Sequence, residues 1–322
     1  MPLIQKSDYK APLLLRNAHL NTVYAALARK VKDVFYERER IETPDKDFLD
    51  LDWSFVKSDQ LVIVLHGLEG SADRPYMRGM IKAFNNKGWD GLAFNFRGCS
   101  GVINRQPYSY HMGWTTDLEF VVDYVLSINR YREIVLVGFS LGGNVVLNYL
   151  GKYGNTLPKA VKKGIAFSVP CHIESANIEI DKAKNSLYLK RFMNSLNEKA
   201  AKKAESFPNK IQFDVKNPPK NFYQFDDQFT APLNGFKNNF DYWTKSSSLN
   251  VIPQIEIPTL LVNALDDTFL SYRCFPVEMA EKHQFFHFEA PKHGGHVGFI
   301  SFNNQGSIWS EKRALAFADS KN

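Results

Sequence analysis

Three residues of different type, far apart along the chain, could together carry out acyl transfer. Ser140 stands in Gly138-Phe139-Ser140-Leu141-Gly142. A serine hydroxyl is a poor nucleophile near neutral pH. It attacks a carbonyl only when a base takes its proton and an acid holds that base in the right tautomer. His296, in Gly294-Gly295-His296-Val297-Gly298-Phe299, is the candidate base, because its flanking glycines let the backbone bring the ring over the serine. His293 is its rival, while His283 and His287 lie nearer a strand. The acid falls in Asn263-Ala264-Leu265-Asp266-Asp267-Thr268-Phe269. Adjacent carboxylates cannot both point at one imidazole, so one of Asp266 and Asp267 orients it. Asp267 is preferred because the residues after it match the usual acid turn, which leaves Asp266 to cap or hydrogen-bond the loop.

A tetrahedral oxyanion needs donors as well. One is the backbone N–H of Leu141, directly after the nucleophile at a helix start. The other is assigned to the N–H of Leu68, in His66-Gly67-Leu68-Glu69-Gly70, where glycines allow close backbone approach. Arg97-Gly98-Cys99-Ser100-Gly101 and His111 share the same edge, and residues so placed more often brace loops than line a pocket. A nucleotide loop finds no G-x-G-x-x-G to rest on. A metal drawn onto His293, His296, Asp266 and Asp267 would leave the serine turn without a purpose. No cofactor and no metal are expected.

The elements that must position these groups are legible from periodicity. Residues 133–137 form a short aliphatic run suited to a buried strand, and Val145, Leu147 and Leu150 follow at helical spacing. Strand, G-x-S-x-G, helix is the context of a nucleophile elbow, with the serine in a strained turn. The chain order serine, acid, histidine is the one that goes with such an elbow. Upstream, residues 13–31 read as a loop and an irregular helix, and 34–42 and 48–56 as strands around Pro44 and Asp45. Residues 61–65, 92–96, 164–169, 258–262 and 285–288 read as further strands. Helices are expected after Pro75, over 116–128 and over 309–318. Strands alternating with helices predict an α/β fold with a mainly parallel, doubly wound sheet.

Residues 171–251 break that rhythm, with helical stretches at 186–196 and 198–205 and an aromatic-rich run at 222–243. An insertion of this size is too long for a plain connection. It is read either as a helical cap over the carboxyl edge of the sheet, where open α/β folds bind ligands, or as a helical subdomain that completes the core, a role residues 222–243 would suit. The expected organisation is one domain over residues 1–322 carrying this insertion.

The whole composition narrows the classes. The 322 residues carry a net charge of +6, with lysines scattered among acids as on a solvated surface, which argues against nucleic acid as a partner. Cys99, Cys171 and Cys274 lie far apart with no C-x-x-C, as in a protein with reduced thiols. No apolar run reaches the length of a membrane span. A cytoplasmic protein without a stable membrane anchor is expected, and the sequence is silent on oligomeric state.

Several motifs in order resemble one known family. They are Arg16-Asn17 with His19-Leu20, His66 to Ser71, Pro75-Tyr76, Asn95 to Gly101, Gly138 to Asn144, Ser168 to Cys171, Phe225 to Asp227 with Thr230 to Pro232, Asp241 to Trp243, and Gly294 to Phe299. Together they are similar to the YheT-like branch of the α/β-hydrolase superfamily, over nearly the whole chain. The resemblance implies an α/β-hydrolase fold with a cap, and a triad of Ser140, Asp267 and His296. The resemblance implies an esterase, as members of the branch are described, and eukaryotic relatives act on medium-chain acyl esters or phospholipids. Two departures are Asn21 where a glutamine is usual, and Thr268 where a proline follows the acid. The expected activity is therefore that of a carboxylesterase acting on short- to medium-chain acyl esters through an acyl-enzyme. An acyltransferase or thioesterase using the same triad is the nearest alternative, and a non-catalytic binding protein of this fold is the third.

Overall fold

The computed structural model describes residues 2–302 and 306–320 of the chain. Among the described residues nine strands form one sheet: β1 (Leu3–Ile4), β2 (Glu37–Glu42), β3 (Phe48–Ser54), β4 (Gln60–Leu65), β5 (Asp90–Phe94), β6 (Glu133–Phe139), β7 (Val161–Phe167), β8 (Thr259–Val262) and β9 (Phe286–Glu289). Their spatial order is β1-β9-β8-β7-β6-β4-β5-β3-β2. The strands from β4 to β9 pair in parallel, and β1 joins β9 in parallel. Strand β3 runs antiparallel to both β2 and β5.

The central strands are apolar on both faces because helices cover both. Leu61, Ile63 and Leu65 of β4 enter one cluster with Leu118, Val121, Val145 and Leu150, from helices α3 (Thr116–Ser127) and α4 (Leu141–Tyr153). Val62 and Val64 point the other way, onto Met77, Met80 and Phe84 of α2 (Pro75–Asn85) and Trp309 and Phe317 of a C-terminal helix at Trp309–Ala318. The alternation along β4 is the pleat itself. The connection is therefore doubly wound, as the sequence pattern predicts.

Helix α1 (Ala18–Val23) continues as a wider turn over Tyr24–Ala28. Between β7 and β8 come α5 (Ile173–Ile180), α6 (Ser186–Ser206), α7 (Phe222–Phe225), α8 (Ala231–Leu233) and α9 (Asn239–Ser246). Two stretches expected as separate helices at 186–196 and 198–205 are one, since no glycine or proline interrupts 186–206. Helix α5 was not foreseen; it starts where the His172 side chain accepts the Ser175 N–H.

Strand β5 begins two residues earlier than the apolar pattern suggests. Its first residue, Asp90, is buried, taking N–H bonds from Val56 and Ser58 and the Tyr131 hydroxyl. A paired buried carboxylate of this kind defeats a periodicity reading. Arg97 consequently lies past the strand, bonded to both oxygens of Asp117 at 2.8 and 2.7 Å and to Asp45 at 2.6 Å. It braces loops rather than facing a pocket. Helix α10 (Val277–Lys282) lies between β8 and β9, and α11 (Trp309–Ala318) follows β9.

Candidate active site

Strand β6 delivers its last residue, Phe139, into a turn too sharp for side chains on either flank. A Cβ on Gly138 would sit 2.4 Å from the carbonyl oxygen of Gly142, and one on Gly142 would sit 2.5 Å from the carbonyl oxygens of His66 and Leu65. Ser140 between them adopts φ 52° and ψ −117°. Its N–H donates to the Phe167 carbonyl at 2.9 Å, and its own carbonyl accepts the first α4 bond, from Asn144. The left-handed backbone lifts the hydroxyl above the sheet edge, where the sheet and α4 cannot bury it.

The loops after β8 and β9 bring the other two groups to it. The His296 Nε2 stands 2.9 Å from the Ser140 Oγ, and its Nδ1 stands 2.8 Å from the Asp267 Oδ2. The Asp267 side chain is wholly buried, and its second oxygen accepts the Phe269 N–H at 3.0 Å. A carboxylate so placed fixes the proton on Nδ1, which leaves the Nε2 lone pair for the serine hydroxyl.

Asp266 faces elsewhere. It accepts the Gly295 N–H at 2.9 Å, and its other oxygen is 3.4 Å from the His293 Nδ1. Burial raises its carboxyl above the ordinary carboxylate range. The two neighbouring aspartates thus hold the same loop by different atoms, one by the ring and one by the backbone.

Several residues that the sequence reading passed over fix the histidine. The hydroxyl of Thr22 accepts the His296 N–H, and that of Ser168 accepts the Val297 N–H, both at 2.9 Å. The ring of Phe269 stacks on His296 at 4.2 Å between centroids. Asn21, the departure from the usual glutamine, is fully buried and donates to the Leu15 carbonyl and the Tyr9 hydroxyl. Thr268, in place of the proline, exchanges two hydrogen bonds with Asn185 and so ties the acid turn to the insertion. Positive φ values gather here too, at Glu69, Ser140, Ser168, Val297 and Phe299. A β-branched valine at φ 57° is a costly conformation that persists only where surroundings impose it.

The loop after β4 passes directly over the nucleophile: a Cβ on Gly67 would lie 3.2 Å from that of Ser140. Leu68 follows, sharing a cleft with Ser140 and His296. The loop is held from below by Tyr76, whose hydroxyl accepts the Gly67 N–H. His66 is fully buried, and desolvation lowers its pKa to about 4. Its Nε2 accepts the Phe96 N–H, so the proton sits on Nδ1 and goes to the Gly67 carbonyl at 2.7 Å.

Above, the loop is held by Glu69. Its carboxylate accepts from the hydroxyls of Tyr110 and Ser195 and from the Lys199 ammonium, the last two both on α6. That anchorage joins residues too distant in sequence for spacing to reveal.

The cleft at Ser140 is walled by Ile180, Phe192 and Phe269. Through Leu68, Met112, Asn177 and Phe222, which line both spaces, it adjoins a second, partly open chamber of about 830 Å³ with the solvent at its mouth included. Ile173, Leu196, Ile211 and Phe229 make that chamber mainly apolar. Cys99, Cys171 and Cys274 are buried free thiols. Among the described residues, no group of three or more His, Cys, Asp or Glu side chains could hold a metal ion.

A family model for the alpha/beta hydrolase fold matches residues 60–302. The chain is 33% identical to the Escherichia coli (strain K12) protein named "Putative esterase YheT", over 88% of this chain and 84% of that one. It is 30% identical to the mouse protein named Phospholipase ABHD3, over 83% of this chain and 67% of that one. Among solved structures, an esterase of Pyrococcus furiosus superimposes with a TM-score of 0.59 at 21% identity, covering 90% of this chain and 95% of that one. At that identity the likeness speaks for the fold alone.

Proposed function

The chain belongs to the α/β-hydrolase family, in the branch of YheT, and from that premise we propose that it is a serine carboxylic-ester hydrolase. The observation that carries this reading is the unbroken hydrogen-bonded line Ser140–His296–Asp267 at 2.9 and 2.8 Å. In the proposed reaction the Ser140 Oγ attacks the ester carbonyl while the His296 Nε2 takes its proton. The imidazolium so formed is stabilised by Asp267. The oxyanion takes hydrogen bonds from the backbone N–H groups of Leu141 and Leu68. Collapse expels the alkoxide, which His296 protonates. Water, activated by the same nitrogen, then attacks the acyl-enzyme and releases the acid.

Each group needs only to exist in the geometry described, and no cofactor enters a step. The mainly apolar chamber beside the cleft supports an aliphatic acyl group of short to medium length, and residues 171–251 serve as the cap that walls it. Three buried free thiols fit a reducing compartment such as the cytoplasm.

A fluorophosphonate probe is expected to label the wild-type protein and to leave Ser140→Ala unlabelled. A series of p-nitrophenyl esters should show turnover that rises and then falls with acyl length. Equal labelling of both proteins would overturn the serine assignment. Absence of turnover across the whole series would favour a binding role for the fold.

A further inference from the structure

We propose that helix α1, the turn before it and the start of α6 form a docking surface for an anionic phospholipid bilayer. Helices of water-soluble domains turn their apolar stripe inward. On this segment part of the apolar surface faces out. Leu20, Val23 and Leu27 share one stripe, with Leu27 72% exposed, whereas Asn21 and Ala25 on the opposite side are buried against the body. Leu13 and Leu14, in the turn before α1, are 75% and 78% exposed, and Leu187 near the start of α6 is 82% exposed. Single exposed leucines are ordinary. Six exposed aliphatic side chains on adjoining elements mark an interaction surface.

The charge on this face selects the partner. Between Asp8 and Asp33 the chain has no acidic residue, while Lys10, Arg16, Lys30 and Lys32 are exposed. Arg29 is the exception, turned in to pair with Glu311. Helix α6 adds exposed Lys190 and Arg191 close to Leu187. Leucines among cations suit a lipid interface, with the side chains entering the acyl boundary and the ammonium and guanidinium groups at the phosphates. A second copy of this chain would set the same cations against themselves, which disfavours self-association through this face.

The two elements meet at His19, whose ring stacks on Tyr188 at 5.7 Å. Tyr188 packs on Phe269 at 5.0 Å, and Phe269 lies on His296. The surface is thus joined to the catalytic base through two packed aromatic rings, of which the second, Phe269, walls the Ser140 cleft. Resting on the esterase reading, the geometry means that an ester leaving a docked bilayer has a short path to the serine. Adsorption itself does not depend on that reading.

The test uses full-length Ser140→Ala protein and sucrose-loaded vesicles, so that binding is measured without hydrolysis. Vesicles of equal parts phosphatidylglycerol and phosphatidylcholine are expected to sediment the protein, pure phosphatidylcholine at least tenfold less, and 0.5 M NaCl should release it. Substituting Leu14, Leu27 and Leu187 together by glutamate should lower the partition coefficient at least tenfold. The same triple change with Ser140 intact should leave hydrolysis of soluble p-nitrophenyl butyrate unaltered, which also shows that the variant folds. No sedimentation with anionic vesicles, or equal sedimentation of the triple variant, would refute the docking surface. So would a dimer by light scattering that the triple change dissociates, since the face would then belong to a second copy. Loss of ester turnover with vesicle binding intact would remove the esterase reading alone.

Discussion

Lys199 of helix α6 donates at 2.9 Å to the carboxylate of Glu69, the residue immediately after Leu68, the proposed second oxyanion donor. Helix α6 therefore holds the loop on which, in the proposed mechanism, transition-state stabilisation depends. The pair is largely buried, with side-chain exposures of 27% and 6%. Removing the lysine leaves the carboxylate with the Tyr110 and Ser195 hydroxyls but without its counter-charge in low dielectric, which weakens its hold on the loop.

Lys199→Met is expected to lower kcat for p-nitrophenyl butyrate by about 10- to 100-fold with little change in KM, because the oxyanion donor acts in the transition state. Lys199→Arg should recover most of the rate. A parallel rise in KM with kcat intact would mean that the pair serves only the substrate chamber.

The two neighbouring aspartates should separate cleanly in kinetics. Asp267→Asn is expected to cost about 10³- to 10⁴-fold in kcat, since an amide there permits the wrong histidine tautomer. Asp266→Asn keeps an oxygen for the Gly295 N–H and should lose less than about tenfold. Steady-state rates at pH 8 decide it, and the reverse ranking would transfer the acid role to Asp266.

Acid sensitivity should track His66. Burial keeps its folded-state pKa at about 4, below the 6.5 of an exposed imidazole. The unfolded chain therefore binds the extra proton first. Stability from this group is complete above pH 6.5 and falls as pH drops toward 4, by about 3 kcal/mol in all. His111, buried and lowered to about 3, acts in the same direction. Asp226, pushed up to about 6 by burial, acts oppositely, its contribution falling as pH rises from about 4 to 6. The difference between wild type and His66→Gln isolates the histidine. Urea unfolding at pH 7 and pH 4.5 should show the larger acid loss in the wild type.

Gly142→Ala tests the elbow itself. Its Cβ would meet two backbone carbonyl oxygens at 2.5 Å, and backbone atoms cannot swing aside as a flexible side chain could. A destabilisation of about 3 kcal/mol is expected, read as a lower midpoint in urea unfolding. Unchanged stability would mean that the turn has room the geometry denies.

What could be read from the sequence follows from how local each signal is. The strand, turn and helix around Ser140 are consecutive, so periodicity and two glycines suffice to find them. Ser140, Asp267 and His296 could be named because chain order stands in for distance in this fold. Their supports could not. Thr22 meets His296 across 274 residues, Ser168 meets Val297 across 129, and Ser195 meets Glu69 across 126. Threonine and serine are common enough that their type carries no signal until the backbone is in place. Asp90 misled for a related reason, since a buried carboxylate with paired oxygens mimics a loop residue in a hydropathy pattern.

The separation of 156 residues between Ser140 and His296 also sets a schedule. At a synthesis rate of about 5–20 residues per second, the elbow is synthesised roughly 8–30 s before its proposed base. Through that interval the nascent chain carries a serine with no neighbour to deprotonate it. Strands β8 and β9 must then add beside β7 before the three groups can meet. The proposed activity can thus appear only with the last strands, so its onset during synthesis would time the completion of the sheet.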